Sequence, residues 1–204
     1  MKNTLLFLAF FALSAFASEA FTHDGFFLSL TAGLGYGSFN NKMDYGYLYN
    51  PELTSEGAQT EAGMKIGGAI INNFILHATM SVNILHADME DSDGNKFSHD
   101  GFKIFMFGAG FTYFFPLFGN TYARASAGIS NYKVTRDNKD YNFLNLNKGF
   151  AFNAALGKEW WVSQNIGFGI ALSYTHTSAT GKYDGANQDG TTNTFSVVWS
   201  LTIN

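Results

Sequence analysis

The sequence contains no cysteine in 204 residues. That excludes a disulfide frame, a thiolate metal site and a cysteine-linked lipid anchor. Proline occurs only 2 times, so breaks in regular structure must come from other residues. Charged residues make up 14% of the chain, against about a quarter in ordinary soluble domains. The net charge is -4 and no basic stripe is present, which argues against a nucleic-acid partner. Beyond the N-terminus, no window offers the roughly 20 continuous apolar residues of a membrane-spanning helix. What the chain does have is 22 Phe, 22 Gly and a mean hydropathy of -0.03, close to zero because apolar and polar residues alternate.

The first residues read as an export signal. Met1-Lys2-Asn3 is a short basic start, and Thr4 to Leu13 is an apolar run too short to span a bilayer. Small-x-small sites follow at Ala15–Ala17 and Ser18–Ala20, so residues 1–20 are expected to be cleaved after Ala17 or Ala20. Residues 21–204 then form one domain.

Within that domain a period of two recurs. Phe26, Leu28, Leu30, Ala32, Leu34 and Tyr36 share one parity; Ser29, Thr31, Gly33, Gly35 and Gly37 share the other. Successive strand side chains point to opposite faces, so this is a strand with one apolar face and one small, uncharged face. Seven similar segments follow, the last running from Thr194 to Ile203. Three connections are short: Asn72-Asn73, Pro116–Asn120 and Ser163–Asn165. The other four read as long polar loops, at 39–59, 87–101, 131–148 and 178–192.

The pattern predicts an all-β fold, an eight-stranded antiparallel transmembrane β-barrel. Short turns at one end and long loops at the other are the asymmetry of bacterial outer-membrane barrels. In hydrocarbon every backbone N–H and C=O must be paired within the protein, and a sheet does that only by closing on itself. The large side chains then face lipid, and the small polar ones fill a narrow lumen. A soluble barrel would reverse this, with large residues inside and charges on the outer face.

The segments Gly108–Pro116 ("GAGFTYFFP") and Gly157–Tyr174 ("GKEWWVSQNIGFGIALSY"), with the final alternating strand, carry a resemblance. The chain resembles the small outer-membrane β-barrel proteins of the OmpA, OmpX, OmpW and opacity-protein type. The resemblance implies residence in the bacterial outer membrane. It also implies contact with outer-membrane lipid and lipopolysaccharide, and delivery by the outer-membrane assembly machinery. Such chains usually end in an aromatic residue, whereas this one ends "WSLTIN".

Few residues could carry chemistry. Glu61, Lys65, His77, Arg124 and Glu159 fall on the lumen parity, and a buried charge needs a partner. Arg124 and Glu159 lie near the short-turn ends of neighbouring strands and are expected to pair. Phe114, Phe115, Trp160 and Trp161 near the short turns, and Tyr36 and Tyr174 near the long loops, read as interfacial aromatic girdles. The acidic stretch Ala87–Asp100 fails as an EF-hand, because aligning Gly94 puts Met89 where Asp is required. No metal and no cofactor are expected. His176 and Ser178, two apart on the lipid-facing parity, have the His-x-Ser pattern of the outer-membrane lipid A deacylases. Asp189 is the carboxylate available to them, while the Asn that follows the serine in that family is Ala179 here.

The expected function is therefore non-enzymatic: a small integral outer-membrane protein supporting envelope integrity, or presenting its four loops to a surface partner. The alternatives are a narrow channel for small, apolar solutes and a deacylase-like hydrolase using His176 and Ser178.

Overall fold

The computed structural model describes residues 21–46, 51–97, 101–136, 139–141, 146, 149–183 and 186–204. The expected signal, residues 1–20, lies outside the described residues. The strands are β1 (Phe26–Asp44), β2 (Glu52–Ile71), β3 (Phe74–Leu85), β4 (Met89–Asp91), β5 (Lys96–Phe97) and β6 (Gly101–Phe115). They continue with β7 (Thr121–Arg136), β8 (Lys139–Tyr141), β9 (Gly149–Trp161), β10 (Ile166–Tyr183) and β11 (Ala186–Ile203).

The long strands run β1-β11-β10-β9-β7-β6-β3-β2, and β2 pairs again with β1, so the sheet closes into an eight-stranded barrel. Every neighbouring pair is antiparallel. The closing seams are long. β1 meets β11 from Leu28↔Ile203 to Asp44↔Asn187, and meets β2 from Phe26↔Gly68 to Lys42↔Glu52.

The three expected turns form. Asn73, at φ 69°, turns β2 into β3, a left-handed position that Asn tolerates. Pro116–Phe118 makes one 3-10 turn, ended by Gly119 at φ 64°.

The sign of the alternation is that of a membrane barrel. Leu34, Phe107, Ile129, Leu156, Leu172 and Phe195 are all exposed on the outer wall, while Ser29, Thr79, Ser126, Ser173 and Thr194 are buried inside. The inward glycines of the opening strand serve a tight curvature. A Cβ on Gly35 would meet the carbonyl oxygen of Phe195 at 1.9 Å.

The four long loops are corrected. Much of 39–59 and 178–192 is strand: β1 runs to Asp44, β2 starts at Glu52, β10 runs to Tyr183 and β11 starts at Ala186. Within 87–101, β4 and β5 pair with each other, and β4 pairs with β2 through Leu53↔Asp91 and Thr54↔Glu90. Within 131–148, β7 continues to Arg136 and carries β8. The reason is that the alternation changes sign rather than stopping. Above Tyr36, the outward residues of β1 are Ser38, Asn40, Lys42 and Asp44, while Phe39 and Met43 are buried inside. A strand that leaves the membrane has water outside, so its apolar side chains move inward. Read as a continuation of the lipid-facing pattern, this looks like a polar loop.

Leu172 is 69% exposed in the outer apolar band. Leu172→Lys is expected to make insertion into vesicles less favourable by about 2–4 kcal/mol, read as a lower urea midpoint of the refolded barrel. An unchanged midpoint would remove this face from hydrocarbon.

Candidate functional site

The lumen is the one interior the fold creates, and inward parity fills it with small polar residues. At its middle, His77 Nδ1 lies 2.9 Å from Thr79 Oγ1 and His77 Nε2 lies 3.1 Å from Thr112 Oγ1. Thr79 continues the chain to Ser126 at 3.2 Å. On the opposite wall, Asn153 Nδ2 donates to Ser173 Oγ and Thr175 Oγ1, both at 2.9 Å. Ser173 Oγ in turn donates to Glu61 Oε1 at 3.5 Å. Gln59 Nε2 donates to Ser196 Oγ. The lumen residues named from the sequence, Glu61, Lys65, His77, Arg124 and Glu159, are all buried.

Apolar layers close this polar section at both ends. Toward the short turns, Phe27, Ile75, Phe114, Tyr122, Ala155 and Ala171 form one buried cluster. The imidazole of His23, just before β1, lies flat on Phe114 with centroids 3.5 Å apart and planes at 10°. Trp161 stacks on the same imidazole at 4.7 Å. His23 Nδ1 donates to Asn204 Oδ1 at 2.8 Å, and burial pushes the His23 pKa down to about 4. The segment before the first strand is thus tied to the end of the last. Toward the other end, Phe39, Leu85, Met89, Phe102, Ile104, Tyr132, Leu146 and Ala179 form the second cluster. There Phe39 lies 4.3 Å from Phe102, and Phe102 lies 5.5 Å from Tyr132. Among the described residues, the polar section of the lumen thus lies between two layers of buried aromatic rings.

Three placements differ from expectation. Arg124 and Glu159 share the lumen but form no ion pair among the described residues. Arg124 stands opposite Ala155 on β9, so Glu159, four residues further on, is about 13 Å away along the strand. Arg124 Nη2 donates to Tyr122 Oη at 3.1 Å, and its guanidinium sits over that ring at 5.1 Å. Glu159 Oε1 instead faces His23 Nε2 at 3.5 Å. Phe114 is not a girdle residue: it is 1% exposed, because the parity that sends Tyr113 outward sends Phe114 inward. Trp161 covers His23 rather than standing free. Tyr36 and Trp160 are exposed on the outer wall and Phe115 and Tyr174 are half-exposed.

His176, Ser178 and Asp189 all lie on the outward face, and the structure does not bring the three together. His176 Nδ1 is 2.9 Å from Asn193 Oδ1, which also accepts from Tyr174 Oη at 2.8 Å. Asn193 is opposite His176 in the register, whereas Asp189 is opposite Thr180, about 13 Å along the strand. The position an orienting carboxylate would need is filled by an amide.

Sequence reasoning missed His23, Phe39 and Phe102. The two phenylalanines had a usable signal, since each is a large residue on the small-residue parity. His23 had none, because it precedes the periodic segment. Also missed was a groove of about 580 Å³ on the outer wall, bordered by Ala62, Met64, Met80, Val82, Phe105, Phe107, Ile129 and Asn131. Its existence depends on side-chain heights across four strands.

No family model and no curated relative matches the chain. Solved structures do. Neisserial surface protein A (NspA) superposes with a TM-score of 0.52 at 12% identity, covering 87% of this chain and 96% of that one. The outer membrane protein OprG from Pseudomonas aeruginosa gives 0.52 at 12% identity, covering 89% and 98%. The chain has the fold of the small outer-membrane β-barrels.

Phe114→Ala removes a fully buried ring at the centre of the turn-side cluster. A loss of about 3–5 kcal/mol in unfolding free energy is expected. Phe115→Ala, on the outer wall beside it, is expected to cost clearly less in the same urea titration.

Proposed function

We propose that the chain is a non-enzymatic integral protein of the bacterial outer membrane that supports the envelope and presents a polar wall above the membrane. The observation that carries this reading is the barrel's combination of an apolar outer band with a lumen of hydrogen-bonded side chains set between two buried apolar clusters. An apolar outer wall suits insertion into lipid, with outer-membrane lipid as the surroundings and the assembly machinery as the route there. A lumen occupied by hydrogen-bonded side chains and two aromatic layers suits a scaffold rather than a conduit.

Above the Tyr36–Phe195–Tyr174 row, β1, β2, β10 and β11 rise as a continuous sheet. Its outer surface carries Asn40, Lys42, Thr191, Asp189, Ser178 and Thr180. Lys42 reaches Glu52 at 4.0 Å, and Asn40 donates to Glu52. This rigid, polar, backbone-paired wall is the surface offered to a partner outside the cell. A rigid surface loses less freedom on binding than a flexible loop would.

The test is conductance. The refolded barrel, confirmed by heat-shifted gel mobility, is expected to be silent in a planar bilayer. The double variant Phe39→Ala/Phe114→Ala, which thins both layers, is expected to gain current. Discrete channels from the unaltered barrel would overturn the scaffold reading in favour of transport. For the absence of catalysis, His176→Ala is expected to leave the lipid A acylation pattern of the producing cell unchanged. A changed pattern would restore the hydrolase.

A further inference from the structure

Residues 21–25, immediately before β1, cross the short-turn mouth of the barrel. At one side Phe21 N–H donates to Gln164 O, between β9 and β10, at 2.9 Å. At the other, Asn73 N–H in the β2–β3 turn donates to His23 O, and Ala69 N–H on β2 donates to Gly25 O, both at 2.8 Å. The two turns stand four places apart in the ring of eight wall strands, so the segment spans the opening along a diameter. At its centre His23 is 1% exposed, held between Phe114 and Trp161.

One contact of this segment lacks a proton. Asn204 Oδ1 can only accept, so His23 Nδ1 carries the hydrogen of that bond. In a neutral imidazole Nε2 is then a bare lone pair. It faces Glu159 Oε1 at 3.5 Å, and among the described residues neither atom has a hydrogen-bond partner. Both side chains are buried, where an unmet acceptor is costly. The surroundings offer no substitute donor. Arg124 on β7 acts on Glu159 through its charge, with its Nη2 given to Tyr122. Asp24, on the segment itself, is the charge beside His23. From β6, β10 and β11 come Phe114, Gly167 and Asn204, whose side chains carry no charge.

We propose that residues 21–25 are a proton-latched strap over the short-turn mouth, fastened by one proton shared between His23 Nε2 and Glu159 Oε1. The proton comes from solvent and completes a hydrogen bond between the two atoms. Removing it leaves a buried carboxylate against a lone pair. Adding a second sets an N–H against an O–H. Either state favours release of the strap and hydration of both groups. The strap is therefore tightest where the pair holds a single proton, and it loosens toward both acid and alkali. Released, it opens the polar section of the lumen toward the short-turn side. The latch rests on the barrel fold and not on the scaffold role, so conduction by the unaltered barrel would leave it standing.

The test is hydrogen exchange on the full barrel refolded into vesicles, with heat-shifted mobility confirming insertion. Amide exchange is followed at about pH 3, about pH 6 and about pH 9, which bracket the carboxyl and imidazole ranges. Rates are corrected for the intrinsic pH dependence of exchange. Protection of the Ala69 and Asn73 amides is expected to be greatest at about pH 6 and lower by about threefold or more at each extreme. The wall amides of β7 are expected to hold constant. Glu159→Gln supplies an amide that donates to the lone pair or, turned over, accepts from the imidazolium. It is expected to give full protection at all three pH values. His23→Phe keeps a ring in the stack without its nitrogens and is expected to lower protection throughout. A flat profile in the unaltered chain, a bell that survives Glu159→Gln, or unchanged protection in His23→Phe overturns the latch. Loosening of the β7 amides in step with the other two assigns the response to the whole barrel and overturns it as well.

Discussion

Everything in this molecule depends on the return of β2 to β1. A sheet in hydrocarbon has no water to satisfy an open edge, and each unpaired backbone group there costs several kcal/mol. The β1–β2 and β1–β11 seams remove both edges along almost the full length of β1. Once the ring is closed, every residue has only two destinations, the wall's outside or its inside. The narrow eight-stranded circumference then rations the interior to small side chains, with glycine at positions such as Gly35 where neighbouring backbone approaches.

The same wall crosses two solvents, and that explains its chemistry along the strand. Within the membrane, leucine and phenylalanine face out and serine and threonine face in. Above the membrane the arrangement inverts, with Phe39, Phe102 and Tyr132 inside and Asn40, Lys42 and Asp189 outside. The inversion builds the upper apolar layer inside the barrel. Membrane barrel and soluble barrel are thus stacked in one sheet without a break in the hydrogen-bond ladder. The aromatic row Tyr36, Phe195 and Tyr174 marks the level of the change.

The lower closure has a different origin. Inward strand residues such as Phe27, Ile75 and Phe114 are joined there by a short segment outside the strand pattern, in which His23 is held between Phe114 and Trp161 and hydrogen-bonded to Asn204. The sequence placed Glu159 and Arg124 in the lumen but not at their heights, because strand tilt and stagger set which residues meet. A four-residue offset along β9 leaves Glu159 facing the neutral His23 ring instead of Arg124, with no hydrogen bond between the two. The same limit applied at the outer wall, where His176 met Asn193 rather than Asp189.

The sequence alone determined the eight wall-forming strands, the closed barrel, which of its faces meets lipid and the three short turns. Those properties follow from a period of two and from solvent preference, which are local and additive. The extent of the strands above the membrane was hidden, because polar residues outside a water-exposed strand look like a loop. Tertiary structure decided the two buried apolar clusters, the surroundings of Arg124, Glu159 and His176, and the outer groove. Each of those depends on cross-strand register, which is fixed by closure of the whole ring and is not encoded in any single strand.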